Sequence, residues 1–257
     1  MNPLARKAIE NRLKAPIVKI QAVPGGDINE AHHVQSGDGR HFFIKTNSHA
    51  PQTMFEREAE GLRWLEGTHG LRVPQVIHHS AHDEPSYLIM EWIAPGRRLS
   101  SFDETLGIGL AKLHLDSPKR FGWHAGNFIG HLHQSNETES TWVQFYRQQR
   151  LIPQIELANT NHGLSTSCLK ALEHLLNHLE DHLPDSENPA RLHGDLWSGN
   201  VHTDQAGQPV LIDPAVYGGH REMDLAMMKL FGGKAMEIVP HRLQNKLLFQ
   251  AMILTEP

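Results

Sequence analysis

The sequence carries a single cysteine, Cys168, among 257 residues. One thiol excludes an internal disulfide framework and suits a reducing compartment, so a cytoplasmic location is expected. No apolar run approaches the roughly 18 residues that a bilayer-spanning helix requires. The opening "MNPLARKAIENRLKAP" has no long apolar core of the kind a secretory leader carries. No lysine- and arginine-rich block stands out, and the formal net charge is −5. Nucleic acid and anionic membrane surfaces are therefore not expected partners. Internal repeats and low-complexity tracts are also missing.

What is present describes a folded chain. Hydrophobic residues make up 39% and charged residues 21%, enough for one large domain or two small ones with real cores. Histidine is abundant, at 20 residues, and mostly scattered. His174, His178 and His182 recur every four residues in "EHLLNHLEDHL", which predicts one stripe along a helix. Imidazoles at that spacing can share a metal ion. The favoured reading is a polar border beside the face made by Leu169, Leu172, Leu175, Leu176, Leu179 and Leu183.

Residues 3–15 read as a short amphipathic helix. Strands broken by glycine turns follow through "IVKIQAVPGGDINEAHHVQSGDGRHFFIKTN", with a hairpin at "SGDGR". In "HFFIK", alternation sends Phe43 and Lys45 to one face and Phe42 and Ile44 to the other. "MFEREAEGLRWLEGT" spaces Phe55, Ala59, Leu62 and Leu65 for one helical face. "VPQVIHHS" and "SYLIMEWI" read as further strands, and "APGRRL" as a hinge. Beyond it the pattern turns helical, in "FDETLGIGLAKLHLD", "STWVQFYRQQRLIPQIELAN" and "CLKALEHLLNHLEDHL". The expected class is α+β: a strand-rich part over residues 1–93 and a mainly helical part over 94–257.

Four features point to phosphoryl transfer. "PGGDIN" sits between two predicted strands, where Gly25 and Gly26 would let backbone N–H groups approach phosphates, or would simply make a turn. Lys45 ends a strand, and Glu58 lies thirteen residues on in a helix; such a pair can hold a lysine against nucleotide phosphates. Glu56 and Glu60 compete with Glu58 for that role. In "HGDLWSGN", Asp195 and Asn200 stand five residues apart, the spacing of a kinase catalytic-loop acid and amide. Asp195 could accept a hydroxyl proton or orient the hydroxyl, and Asn200 could offer an oxygen to Mg²⁺. Asp213 follows the apolar run "PVLI" and could bind the same ion or cap a turn.

These strings, with "IDPAVYGGHREMDLAM", "FFIKTN", "VPQVI", "LIMEWI", "LAKLHL", "FGWHAGNFIGHLHQSN", "TWVQFYRQQRL" and "LFGG", resemble the fructosamine kinase (ketosamine 3-kinase) family. That family lies within a protein-kinase-like superfamily that includes aminoglycoside phosphotransferases. The resemblance runs from about Pro24 to Gly233 and implies a two-lobed kinase fold. By position it implies Asp195 as catalytic acid/base residue and Asn200 and Asp213 as metal ligands. It implies Lys45 and Glu58 as the phosphate-binding ion pair, and Gly25 and Gly26 in the nucleotide-covering loop. Glu91, Trp92 and Ile93 would form the adenine hinge, with Met90 behind it. Trp197 would stack on or fence the sugar, or pack the loop. Asp224 and His193 would steady the loop. The implied reaction is ATP- and Mg²⁺-dependent phosphorylation of the O3 hydroxyl of a free or protein-bound ketosamine, in deglycation.

The family continues further past "LFGG" than this sequence does, so the helical part is expected to be shortened. "RLQNKLLFQAMIL" would then present an apolar face needing cover. Two other readings compete. One keeps the kinase and changes the acceptor to an aminoglycoside, choline or another hydroxylated amine. The other is a nucleotide-binding protein without catalysis.

Overall fold

The computed structural model describes residues 1–24, 28–51, 53–67, 70–80, 85–183 and 187–231. Gly25, Gly26 and the segment "RLQNKLLFQAMIL" lie outside the described residues. Helix α1 spans Pro3–Leu13. It starts where Asn2 Oδ1 accepts the Leu4 N–H at 2.8 Å and proline takes the first helical position. Strands β1 (Ile17–Ala22), β2 (Glu30–Ser36) and β3 (His41–Thr46) follow, then α2 (Met54–Glu66), β4 (Val76–His79) and β5 (Tyr87–Glu91). The five strands form one antiparallel sheet in the order β1-β2-β3-β5-β4.

The period-two alternation of these strands divides the core. Val34, Phe42, Ile44 and Ile89 pack with Ala5, Ile9 and Leu13 of α1. Leu88 and Met90 pack instead with Phe55, Ala59 and Leu62 of α2. Phe43 and Lys45 face the α2 side, as the alternation in "HFFIK" predicts. The sheet is thus sandwiched between α1 and the rest of the molecule.

The remaining chain is mainly helical. It runs through α3 (Phe102–Leu115), the hairpin β6 (Asn127–Ile129) and β7 (Leu132–Gln134), α4 (Trp142–Tyr146), a π-helical turn Arg147–Leu151, and α5 (Ile152–His162). The π turn precedes Pro153, which has no N–H to give to the Gln149 carbonyl; Arg150 Nη1 meets that carbonyl at 2.9 Å. Then come α6 (Thr166–Asn177), α7 (Leu179–His182), β8 (Ala190–Leu192), β9 (Val201–Thr203), β10 (Pro209–Leu211), β11 (Tyr217–Gly219) and α8 (Glu222–Leu230). Strand β8 pairs with β11 and β9 with β10, both antiparallel. The large core joins α2 and α3 to Trp142, Phe145, Leu192 and Leu211.

The predicted histidine stripe does not run along one helix. The helix breaks at His178, whose backbone sits at φ −118°, ψ 20°. The rings of His174 and His178 lie 4.4 Å apart, and His178 Nδ1 is 3.4 Å from Asp181. Among the described residues, no group of three or more His, Cys, Asp or Glu side chains is arranged to hold a metal. Leu169, Leu172, Leu175 and Leu176 are half-buried, and Leu179 and Leu183 are buried, which fits the amphipathic reading. No helix among the described residues is long and apolar enough to cross a membrane.

The glycine of "APGRRL" answers to a close approach. A Cβ on Gly96 would stand 2.0 Å from the Asp204 carbonyl oxygen. The Gly96 N–H donates to Thr203 O at 3.0 Å, so the segment leaving the sheet is stitched directly to β9.

Candidate active site

A cavity of about 650 Å³ opens between the sheet and the helical part. Its walls gather residues from far-apart stretches: Lys45 of β3, Glu58 of α2, Met90 to Ile93 at the end of β5, Asp195, Trp197, Gly199 and Asn200 after β8, and Asp213 after β10.

At its centre, Lys45 Nζ donates to Glu58 Oε1 and to Asp213 Oδ1, each at 2.7 Å. The competition among the α2 acids is resolved by geometry. Glu56 and Glu60 both turn to Arg57, at 3.5 and 2.5 Å. Burial alone would push the Lys45 ammonium towards neutrality. The charges of Asp213 and Glu58 outweigh that and raise its pKa, so it stays protonated. Glu58 is raised, chiefly by its own burial. Asp213 adopts φ +55°, a left-handed conformation that non-glycine residues rarely hold without compensation; its bond to Lys45 supplies one.

Asp195 and Asn200 meet across a short 3₁₀ turn, Ser198–Asn200. Asn200 Nδ2 donates to the Asp195 carbonyl at 2.8 Å and to Asp195 Oδ2 at 3.1 Å. This directs the other end of the amide, Oδ1, away from Asp195. Burial raises the Asp195 pKa, with the Asp213 and Asp224 charges adding to it, against opposing contributions from His193 and Asn200.

The loop is anchored from beneath. Asp224 of α8, only 1% exposed, accepts the His193 N–H on Oδ2 and the Gly194 N–H on Oδ1, both at 2.9 Å. His114 Nε2 meets the same Oδ2 at 3.0 Å. Burial would raise the Asp224 pKa, but the His114 hydrogen bond, nearby charge and the backbone donors lower it. His193 is fully buried, and burial depresses its pKa. Its Nδ1 accepts the Asp195 N–H at 3.3 Å, so a neutral ring protonated on Nε2 is free to donate to Ile212 O at 2.9 Å. That carbonyl immediately precedes Asp213, so one imidazole ties both acidic positions together.

The remaining predicted site residues that lie among the described ones line the same cavity. Met90 is buried behind it. The Glu91 N–H is committed to Gln75 O at 3.0 Å, and its carboxylate to Arg72 at 3.0 Å. The Ile93 carbonyl accepts from His202 Nε2 at 3.1 Å. The Trp92 ring stacks on His33 with centroids 3.8 Å apart. Trp197 is 39% exposed and folds over Gly199, where an added Cβ would stand 2.3 Å from its ring.

Sequence reasoning passed over several residues that shape this region. His114 looks like one more helical histidine, yet it partners Asp224 across 110 residues. Asn127 and the backbone at Gly130 reach the cavity from the β6–β7 hairpin. Arg150 is half-buried against Phe145 and Tyr217, 4.7 and 4.2 Å from their ring centroids, and binds Asn136 Oδ1 at 2.7 Å. Only the density of polar residues in "FGWHAGNFIGHLHQSN" hints at this second wall.

Comparison with known proteins agrees with the geometry. A protein of Enterococcus faecium named as a probable ketoamine kinase is 38% identical over 219 residues, which are 84% of this chain and 76% of that protein. The chloroplastic protein-ribulosamine 3-kinase of Arabidopsis thaliana is 41% identical over 220 residues, 82% of this chain and 65% of that one. A crystal structure from Thermobifida fusca, described as a fructosamine-3-kinase, superposes with a TM-score of 0.81 at 32% identity, over 98% of this chain and 85% of that one. The fold is that of the two-lobed, protein-kinase-like phosphotransferases. The fructosamine kinase family profile matches residues 1–240, and the chain belongs to that family of phosphotransferases.

Proposed function

We propose that this chain is an ATP- and Mg²⁺-dependent kinase that phosphorylates the O3 hydroxyl of a ketosamine of the fructosamine or ribulosamine type. The phosphorylated adduct is less stable than its parent, so the reaction would serve deglycation. One observation carries the reading: the Lys45 ammonium holds Glu58 and Asp213 at 2.7 Å within the same cavity as the bonded pair Asp195 and Asn200. The names of the Enterococcus and Arabidopsis relatives support this acceptor class.

In this reading residues 1–93 are the nucleotide-binding lobe and 94–257 the helical lobe with the catalytic and metal-binding loops. Met90, Glu91, Trp92 and Ile93 border the adenine. Lys45, fixed by Glu58, holds phosphate oxygens. Asn200 and Asp213 would hold Mg²⁺. Their chemistry fits that ion, since a carboxylate and an amide Oδ1 turned from Asp195 are hard oxygen donors. When bound, the ion neutralises charge developing on the transferred phosphoryl group.

Asp195 accepts the acceptor's hydroxyl proton as that oxygen bonds to phosphorus and ADP departs. Its raised pKa makes it a better proton acceptor than an ordinary aspartate. Asn200 aims its carboxylate, and His193 and Asp224 hold the loop. Trp197 stacks on or fences the sugar. A cytoplasmic setting suits the free, exposed thiol of Cys168.

The test incubates the protein with ATP, Mg²⁺ and a fructosyl-amine, and reads the gain of one phosphate by mass spectrometry. Asp195→Ala should lower turnover on the order of 10²- to 10⁴-fold. Equal phosphorylation by the two proteins would sink the role of Asp195. Transfer to other hydroxylated amines but to no ketosamine would sink the acceptor assignment. The pH profile provides a second check. Asp195 must be unprotonated to work, so activity should fall on acidification through its raised pKa, at a higher pH than an ordinary carboxylate would give.

A further inference from the structure

Residues 121–136 belong to the helical part of the sequence, yet they cross to the sheet side of the cleft. The Trp123 ring lies 6.2 Å from that of Trp64 on α2, and His124 Nε2 is 3.4 Å from Glu60 of the same helix. At the hairpin turn, a Cβ on Gly130 would stand 3.2 Å from Cδ1 of Ile28, the residue leading into β2. The hairpin is also fastened below. Asn127 Nδ2 donates to Val216 O at 2.8 Å, and Gln134 Nε2 donates to Asn127 Oδ1 at 3.2 Å.

These anchors place the hairpin at one end of the cavity. Val216 follows Asp213 by three residues, and α2 carries Glu58. The hairpin therefore closes the end where the Lys45 cluster lies, while Met90 to Ile93 form the other border. Phe128 and Ile129 line the cavity and are half-buried. "NFIGHLHQ" contributes no Asp, Glu, Lys or Arg to this wall.

We infer that the β6–β7 hairpin is the acceptor-side wall of the cleft. Phe128 and Ile129 are its specificity-determining contacts, and they favour acceptors whose amine carries an apolar substituent. The inference rests on the ketosamine reading above and deepens it. The reacting hydroxyl must reach Asp195, so the far end of the acceptor extends along a wall that offers apolar side chains and no counter-charge.

The experiment measures binding of two fructosyl-amines, one made from benzylamine and one from glycine, by titration calorimetry with a non-hydrolysable ATP analogue present. Wild type should bind the benzyl compound roughly tenfold more tightly than the glycine compound. Phe128→Ala and Ile129→Ala should each weaken the benzyl compound by roughly tenfold, while nucleotide affinity stays within about twofold. Should either alanine variant fail to fold, Ile129→Val removes a single methylene and should still weaken the benzyl compound measurably. Unchanged benzyl affinity in the folded variants, or a parallel loss of nucleotide affinity, overturns the wall. Binding of the nucleotide analogue but of neither fructosyl-amine by wild type overturns the ketosamine reading together with this one. Binding of both with unaltered variants overturns this inference alone.

Discussion

Lys45 Nζ and Asp213 Oδ1 stand 2.7 Å apart across 168 residues of sequence. The same ammonium holds Glu58 Oε1 at 2.7 Å, so one cation fastens the sheet, helix α2 and the turn after β10. The Lys45 and Glu58 side chains are only 7% and 12% exposed. An ion pair at that depth gains little net stability over an apolar pair, but breaking it by removing one partner is costly. The arrangement therefore acts as a register device: it is stable only when all three elements are in place.

Lys45→Met should abolish phosphoryl transfer and also lower stability, on the order of 3 kcal/mol, because Glu58 is left buried without its cation. The double variant Lys45→Met/Glu58→Leu should recover most of that loss while remaining inactive. Chemical denaturation of the two proteins makes the comparison. A double variant no more stable than the single one would show that packing, not the orphaned carboxylate, dominates.

The parts of this site carried by local pattern were legible in sequence. Strand alternation assigned Lys45 and Phe43 to one face, and the helical spacing of Phe55, Ala59 and Leu62 put Glu58 beside the buried stripe. The five-residue interval from Asp195 to Asn200 is short enough for one loop to close. Contacts across long sequence separations left no such trace. Asn127 to Val216 O and His114 to Asp224 join residues 89 and 110 apart, and no period in the sequence encodes them. The break at His178 was hidden for a different reason. The four-residue histidine spacing continues through it, so the pattern looks like one helix although the backbone turns away. Leu179 and Leu183 gain burial from that turn, which the residues of α6 do not achieve.

Asp224 should make wild-type stability depend on acid. Its folded pKa lies below its unfolded one, so its contribution is complete above the ordinary aspartate range and is lost as pH falls through the lowered folded value. Asp224→Asn retains one acceptor oxygen but cannot serve His193 N–H, Gly194 N–H and His114 together. The variant should be destabilised by about 2 kcal/mol at neutral pH, and its deficit should shrink as pH is lowered. Denaturation midpoints at neutral and acidic pH decide it. A deficit that stays constant with pH would mean that the carboxylate charge is not what holds the loop.

Gly194 and Gly39 separate two kinds of glycine requirement in one molecule. Both hold left-handed backbone, at φ +83° and +84°. At Gly39, in the β2–β3 turn, an added Cβ meets nothing within 4 Å, so Gly39→Ala carries only the conformational penalty, about 1 kcal/mol. At Gly194 the same Cβ would stand 2.0 Å from the Ala215 carbonyl oxygen. That oxygen cannot retreat cheaply, because the Ala215 N–H is itself bonded to His193 O at 2.9 Å and Asp224 holds the Gly194 N–H from the other side. Gly194→Ala should therefore displace the loop that carries Asp195, costing about 3 kcal/mol or more in stability and nearly all turnover. Gly39→Ala should leave kcat unchanged. Thermal unfolding and initial rates on the pair provide the measurement, and equal stability losses at the two positions would show that the Ala215 contact does not constrain the loop.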